Sequence, residues 1–214
     1  MAEQNYFVKS NYPRIPNDFY PTVDKRCVYS FLEHFQPRGL CVDPCAPQGS
    51  GIVDTLQACG YHAMGLPDAF KGFSAEWIVS NPPYSRQLVT VLLPGLGMIG
   101  KAAPEEKSLP LVDAIISAGI RAVELGTVRH AAYLLRSNFD FAKSRGDMFS
   151  ECEYYCGEIK MRFRPRWKEY HKGDDGPIHN FSWHIWSRFP KYSPAFQGPK
   201  KWWSDGVAPA GVGQ

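Results

Sequence analysis

Ile78-Val79-Ser80-Asn81-Pro82-Pro83-Tyr84 places an amide, two prolines and a phenol at the end of an apolar run. Proline after Asn81 pushes that residue into an extended conformation. The two prolines fix their own φ angles and remove two N–H donors. The result is a rigid corner that presents carbonyl oxygens and the Asn81 side chain, with the Tyr84 ring one step further on. Such a corner can accept hydrogen bonds from an exocyclic amine while the ring stacks on its base. The bland alternative is a Pro-Pro turn after a strand. A second group, Val42-Asp43-Pro44-Cys45-Ala46-Pro47-Gln48-Gly49-Ser50-Gly51, ends another apolar run in an acid and follows it with a glycine-containing turn. Glycines there let backbone approach a ligand without a Cβ clash.

The elements that must hold these groups can be read from periodicity and punctuation. Val28, Phe31, Leu32 and Phe35 have helical spacing, which predicts a helix over 23–35 ended by Pro37-Arg38-Gly39. Gly39 to Asp43 reads as a first strand, Ile52 to Cys59 as a helix stopped by Gly60, and Tyr61 to Leu66 and Trp77 to Ser80 as further strands. Leu88 to Leu93 and Leu111 to Leu125 read as helices, with the glycine- and proline-rich stretch 93–110 as a mobile excursion able to close over a substrate. His130 to Leu135 reads as a strand, and Tyr154 to Phe163 with Asn180 to Phe189 as a terminal antiparallel pair. Strands alternating with helices predict an α/β protein built on a mostly parallel sheet. The expected layout is an irregular arm over 1–20, one domain over 21–190, and a basic aromatic tail over 191–214, frayed from Gly206 onward. Only 38 positions separate Asp43 from Asn81, so the strand expected between the second and the Asn81 strand is short or absent.

The chain has 214 residues, of which 44% are hydrophobic and 21% charged, an ordinary globular composition. No apolar run approaches the roughly 18 residues of a membrane span, and the N-terminus is polar. Six cysteines without a leader predict free thiols in a reducing cytoplasm. Cys152 and Cys156 with downstream histidines do not have the usual spacing of a zinc site, and no metal is expected. The net charge of +3 is uneven. Residues 160–214 carry 10 Lys/Arg against 4 Asp/Glu and five of the six tryptophans. Cations interleaved with rings suit a nucleic-acid surface or a basic terminal sheet with core tryptophans.

Asn-Pro-Pro-Tyr after an apolar strand resembles the catalytic motif of amino-group DNA methyltransferases, above all the small phage and bacterial N6-adenine enzymes. Three further stretches share the resemblance, which spans roughly residues 18–190. Asp43 to Gly51 is similar to the family's cofactor loop, with Pro47-Gln48 standing where one glycine is usual. Phe19-Tyr20-Pro21-Thr22 resembles a stretch that lies over the methionine end of the cofactor. Arg162-Phe163-Arg164-Pro165-Arg166-Trp167 with Asn180 to Trp186 looks like the family's tail.

The resemblance implies a Rossmann-like fold and S-adenosyl-L-methionine as cofactor. It implies methyl transfer to N6 of adenine in DNA, in the cytoplasm of a bacterium or a phage-infected cell. Carried over residue by residue, it makes Asn81, Pro82, Pro83 and Tyr84 catalytic. Cofactor contacts fall to Tyr20, Pro21, Thr22, Asp43, Pro44, Cys45, Ala46, Gly49 and Gly51. Asp68 is either a ribose ligand or a turn residue, and Phe70 either flanks the cofactor's adenine or belongs to the core. Arg162, Arg164, Arg166, Trp167 and Lys168 would contact nucleic acid, the arginines alternating along a strand. The competing view makes Arg164 to Trp167 a structural corner whose arginines pair with acids. RNA adenine, a protein glutamine amide, and a non-catalytic cofactor-binding relic are the rival functions.

Overall fold

The computed structural model describes residues 22–46, 50–84, 87–93, 105–166, 179–189 and 201–210. Nine strands and three α-helices are assigned there. In chain order they are α1 (Arg26–Leu32), β1 (Cys41–Asp43), α2 (Gly51–Ala58), β2 (Ala63–Gly65), β3 (Ala75–Ser80), β4 (Leu88–Leu93), β5 (Glu105–Pro110), α3 (Leu111–Leu125), β6 (Val128–Arg136), β7 (Tyr155–Met161), β8 (Phe181–Ser187) and β9 (Lys201–Ser204). Seven strands form one sheet in the order β2-β1-β3-β6-β8-β7-β9, and β4 and β5 form a separate antiparallel hairpin. Within the large sheet β8 alone runs against the others, paired antiparallel with both β6 and β7. The remaining pairings are parallel. The expected α/β class, mostly parallel sheet and antiparallel β7–β8 pair are therefore all present. Between β2 and β3 the chain makes no strand, and β3 pairs with β1 on the side opposite β2.

Apolar side chains on the two sheet faces build two cores. Phe31, Trp77, Trp183 and Ile185 belong to the core under α1 and α2, whereas Ile78, Tyr133, Leu135 and Trp186 meet α3 on the other face. All seven residues of β8 are buried. Its two tryptophans are on opposite faces and each satisfies its indole N–H: Trp183 donates to the Cys27 carbonyl at 2.7 Å, and Trp186 to the Met148 carbonyl at 2.7 Å. His184 between them is fully buried, with Nδ1 2.9 Å from the Tyr155 hydroxyl. Burial pushes its pKa down to about 3, against the opposing pull of the Arg136 carbonyl. His130, stacked on Trp77 with ring centroids 4.4 Å apart, is lowered by burial to about 4.

Several expectations are corrected. Leu88 to Leu93 is a strand, not a helix: Val89 and Val91 alternate with Thr90, and β5 supplies the partner, with Leu88 opposite Pro110 and Thr90 opposite Ser108. The excursion over 93–110 is accordingly shorter, because 105–110 is strand; residues 94–104 lie outside the described residues. The first helix is confined to Arg26–Leu32. β7 stops at Met161, so Arg162, Arg164 and Arg166 follow the strand and do not share a strand face. The tail contributes β9 at the sheet edge, and Gly206 is buried at φ +67° against Phe163 and Arg26 instead of frayed. The arm over 1–20 lies outside the described residues.

Candidate functional site

The carboxyl ends of β1 and β3 lie side by side, because β1 pairs parallel with β3 through Cys41–Trp77 and Val42–Ile78. This brings Asp43 next to Ser80 and Asn81, which is where open parallel sheets commonly bind ligands. Asp43 is 4% exposed, and three donors converge on its carboxylate. The Ser80 hydroxyl donates to Oδ1 at 2.7 Å, the Cys45 N–H to the same oxygen at 3.1 Å, and the Ser50 hydroxyl to Oδ2 at 2.5 Å. Burial raises the Asp43 pKa, and the Ser50, Ser80 and Cys45 hydrogen bonds pull it back down. Asp43 thus faces inward and ties the loop after β1 to the end of β3.

Ser50 does two things at once. Its oxygen also accepts from the Ile52 and Val53 N–H groups at 3.2 and 3.4 Å, capping α2 while its hydroxyl holds Asp43. α2 therefore starts at a fixed point relative to the end of β1. Gly51, the first residue of α2, lies so close to the Thr22 carbonyl that a Cβ would collide with it. Ala46 closes the other side: its N–H donates to the Leu66 carbonyl at 3.1 Å, and a Cβ on Gly65 would sit 2.8 Å from the Ala46 methyl.

Thr22 connects this loop to the proline corner. It is 5% exposed, and its hydroxyl accepts from the Asn81 Nδ2 at 3.1 Å across 59 residues of sequence. Asn81 and Pro82 are buried, and Pro83 is half-buried. Tyr84 is seated by residues distant in sequence. Its hydroxyl donates to the Leu134 carbonyl at 3.0 Å, and its ring meets Phe139 and Phe181 edge-on, each at 6.3 Å between centroids. The Arg136 guanidinium is 5.5 Å from the ring centre. Burial raises the phenol pKa, so Tyr84 stays neutral. The half-buried ring packs against residues of both cores.

Asp68 and Phe70 follow β2. The Asp68 Oδ1 accepts from the Phe70 N–H at 2.9 Å, a local turn that favours the turn role over a ribose contact. Phe70 is 47% exposed and is not a core residue. It lines an apolar cavity of about 920 Å³ together with Pro44, Phe73, Ile78, Ala118 and Tyr133. Its walls come from residues 69–74 of the loop between β2 and β3, from α3 and from β4. Gly119 of α3 packs on the Tyr133 hydroxyl at its wall.

The basic segment is partly neutralised. Arg162 pairs with Asp205 at 3.3 Å, the Arg164 Nε donates to the Asn180 Oδ1 at 3.1 Å, and the Arg166 backbone N–H donates to Asp24 at 3.1 Å. Tyr20, Pro21, Gly49, Trp167 and Lys168 lie outside the described residues. Sequence reasoning missed Ser50, Ser80 and Arg136. A hydroxyl immediately before Asn81, and another ahead of a helix start, were the available signals for the serines. Nothing local marks Arg136. Among the described residues, no group of three His, Cys, Asp or Glu side chains could hold a metal ion, and no helix is long and apolar enough to cross a membrane. No family model matches the chain, and no curated protein matches it.

Proposed function

We propose that the protein is an S-adenosyl-L-methionine-dependent methyltransferase acting on the N6 amine of adenine in DNA. One observation carries this reading. Three stretches remote in sequence, each resembling a different part of the methyltransferase site, meet at the ends of β1 and β3: Thr22 bonds Asn81, Asp43 bonds Ser80, and Gly51 packs on Thr22. A lone Pro-Pro turn has no reason to recruit the other two. The mostly parallel sheet with one reversed strand fits the Rossmann-like architecture that the resemblance implies.

The residues present fit the cofactor. The closely packed Gly51 and Gly65 keep the loop backbone compact, and Pro44 and Phe70 border an apolar cavity large enough for a nucleoside. Pro44, Cys45, Ala46 and Gly51 would hold the cofactor through backbone and small side chains, with Phe70 against its base. When bound, it supplies an electrophilic methyl group on a sulfonium. Everything else falls to the chain. Asn81 Oδ1 and the Pro82 carbonyl accept hydrogen bonds from the two N–H groups of the target amine, drawing its lone pair out of conjugation with the ring, and the methylated nitrogen then releases one proton to solvent. Thr22 fixes the Asn81 amide, so the acceptor needs no reorganisation at the moment of transfer. Burial of Asn81 and Pro82 excludes competing water. The target base cannot reach this corner inside a duplex and must be extruded or single-stranded. Stacking on Tyr84 then requires the ring to leave its seat on the Leu134 carbonyl.

The test is methyl transfer from a labelled donor to DNA, RNA and protein, followed by nucleoside and amino-acid analysis. Label in N6-methyladenine of DNA is the expected result. Label in glutamine or only in RNA replaces the substrate, and absence of transfer with tight cofactor binding supports a non-catalytic relic.

A further inference from the structure

β1, β3 and β6 run parallel, so the turn that leaves β6 after Arg136 stands at the same rim of the sheet as Asp43 and Asn81. A short 3-10 turn there, Phe139–Phe141, carries two rings with opposite placements. Phe139 is buried and meets Tyr84 edge-on. Phe141 is 81% exposed, more than any other large apolar side chain among the described residues. Arg145 braces the turn: its Nε donates to the Asp113 Oδ1 at 2.9 Å, its Nη1 donates to the Phe139 carbonyl at 2.8 Å, and its guanidinium lies 3.6 Å over the Phe139 ring. The Phe141 N–H donates to the Asn138 carbonyl at 3.4 Å. With Phe139 pinned, the Phe141 ring is held out toward solvent instead of folding back onto the core. Cations flank it in sequence. Arg136 and Lys143 are exposed, and among the described residues neither enters an ion pair. Asp140, the one acid between residues 136 and 145, has its Oδ1 buried. The turn therefore presents an aromatic face and positive charge at the rim that carries Asn81.

We propose that Phe141 is a stacking platform for an unpaired base next to the one presented to Asn81, with Arg136 and Lys143 on the flanking phosphates; this rests on the nucleic-acid substrate proposed above. Every base has a π-face, so an outward ring holds a neighbouring nucleotide without reading its identity. A guanidinium and an ammonium beside it meet the backbone and set the register of the strand. Extruding a target base also leaves its neighbours unstacked on one side, which gives such a ring a partner. The occupant is a nucleic-acid strand rather than a second copy of the chain, because the ring is bordered by two cations without carboxylate partners and rises from the turn that seats Tyr84. The contact lies on the turn after β6, away from the segment 162–166, where Arg162 is already matched to Asp205.

The experiment is fluorescence anisotropy with end-labelled single-stranded DNA carrying one central adenine, either intact or with abasic sites on both sides of that adenine. Wild type is compared with Phe141→Ala, Phe141→Leu, Phe141→Trp, Arg136→Gln and Lys143→Gln. Arg38→Gln, an exposed charge ahead of β1 at the opposite rim, is the control. Loss of one base–aromatic stack in Phe141→Ala should weaken binding to the intact strand about 5- to 150-fold. Phe141→Leu keeps apolar area without a π-face and should lose nearly as much, whereas Phe141→Trp should bind at least as well as wild type. On the abasic strand wild type and Phe141→Ala should bind alike. Ring variants should leave the slope of log affinity against log salt unchanged. Arg136→Gln and Lys143→Gln should each flatten it by about 0.7, and Arg38→Gln should not. Because the ring is exposed, Phe141→Ala should keep the wild-type melting curve and calorimetric affinity for S-adenosyl-L-methionine. Wild-type affinity in Phe141→Ala, an equal loss on the abasic strand, full retention in Phe141→Leu, unaltered slopes in both cation variants, or absence of DNA binding each overturn the platform. A dimer in sedimentation that Phe141→Ala disperses assigns the ring to a second copy and overturns it too. Adenine methylation measured on the same samples separates the two ideas. Methylation with ring-independent binding removes the platform and keeps the enzyme; ring-dependent binding without methylation does the reverse.

Discussion

Ser80→Ala removes one of the three donors from the Asp43 carboxylate at a position that is fully buried, so water cannot replace the lost hydroxyl. A hydrogen bond to an ionised group contributes about 1.5–3 kcal/mol. For a chain of this size that corresponds to a melting shift of roughly 3–12 °C. The loss should depend on pH, and the direction is fixed by the raised Asp43 pKa. A raised carboxyl contributes stability that is fully present below its unfolded value of 3.8 and lost as pH rises through the folded value. In acid, Asp43 is protonated and the Ser80 bond is an ordinary neutral one, about 0.5–1.5 kcal/mol. The gap between wild type and Ser80→Ala should therefore widen as pH rises from 3.8 through the raised folded value. Function should divide as well. Ser80 precedes Asn81, so loss of its anchor misplaces the amide, and misplacement near 1 Å costs up to about 10²-fold in rate. Turnover should drop while cofactor affinity changes little. Ser50→Ala should do the opposite, loosening the α2 start and the cofactor loop. Guanidinium denaturation of both single variants and the double, with methyl-transfer kinetics, is the assay. A pH-independent gap, or stability losses that add within about 0.3 kcal/mol, would show that the two serines do not communicate through Asp43.

Asn81→Ala should abolish methyl transfer by about 10²-fold or more while leaving calorimetric cofactor affinity nearly intact; near-normal turnover removes Asn81 from the chemistry. Wild type should lose stability in acid as His184 is forced to protonate. Its folded pKa of about 3 means that its contribution is complete above the unfolded 6.5 and disappears as pH falls through about 3. A tenfold difference in proton affinity between the folded and unfolded chain corresponds to about 1.4 kcal/mol, so His184→Gln should be less stable near pH 7 but flatter between about pH 6 and 3 in denaturant titrations. Gly119→Ala gains about 1 kcal/mol of helix propensity and forces a methyl against the Tyr133 hydroxyl, a clash of about 1–3 kcal/mol. Net destabilisation by thermal melting is expected, and a stabilised variant would mean that the α3–β6 contact yields easily.

The chemistry-bearing segments were legible because each is bounded by its own punctuation. Asp43 and Asn81 both close apolar runs, and prolines follow both, so the strand ends could be placed from a few residues. The Gly60 stop similarly delimits the end of α2, whereas its Ser50 cap went unread. What could not be read depends on distant partners. Glu105 to Pro110 contains Glu, Glu and Lys, residues indifferent to strands, and becomes one only because Leu88 to Leu93 lies alongside. Lys201 to Ser204 joins the sheet through β7, some forty residues earlier in the chain. Tyr84 follows the corner as the motif implies, but the Leu134 carbonyl that seats it comes from a strand 50 residues on. The two serine hydroxyls that meet on Asp43 come from the start of α2 and the end of β3, a convergence that no local pattern announces.

The reversed strand has a consequence for how the chain is made. β8 is an interior strand, fifth of seven, yet its residues, Phe181 to Ser187, emerge after everything it separates except β9. Until they leave the ribosome, β6 and β7 have no partner on their facing sides, and the Trp183 and Trp186 anchors to α1 and Met148 are missing. A nascent chain of about 160 residues would carry two unpaired strand edges and an incomplete core on each face, the features that invite aggregation. The last quarter of the sequence therefore acts as a keystone rather than an appendage. Cooperative folding should appear abruptly as stalled nascent chains lengthen past Ser187, with little protease protection before that point.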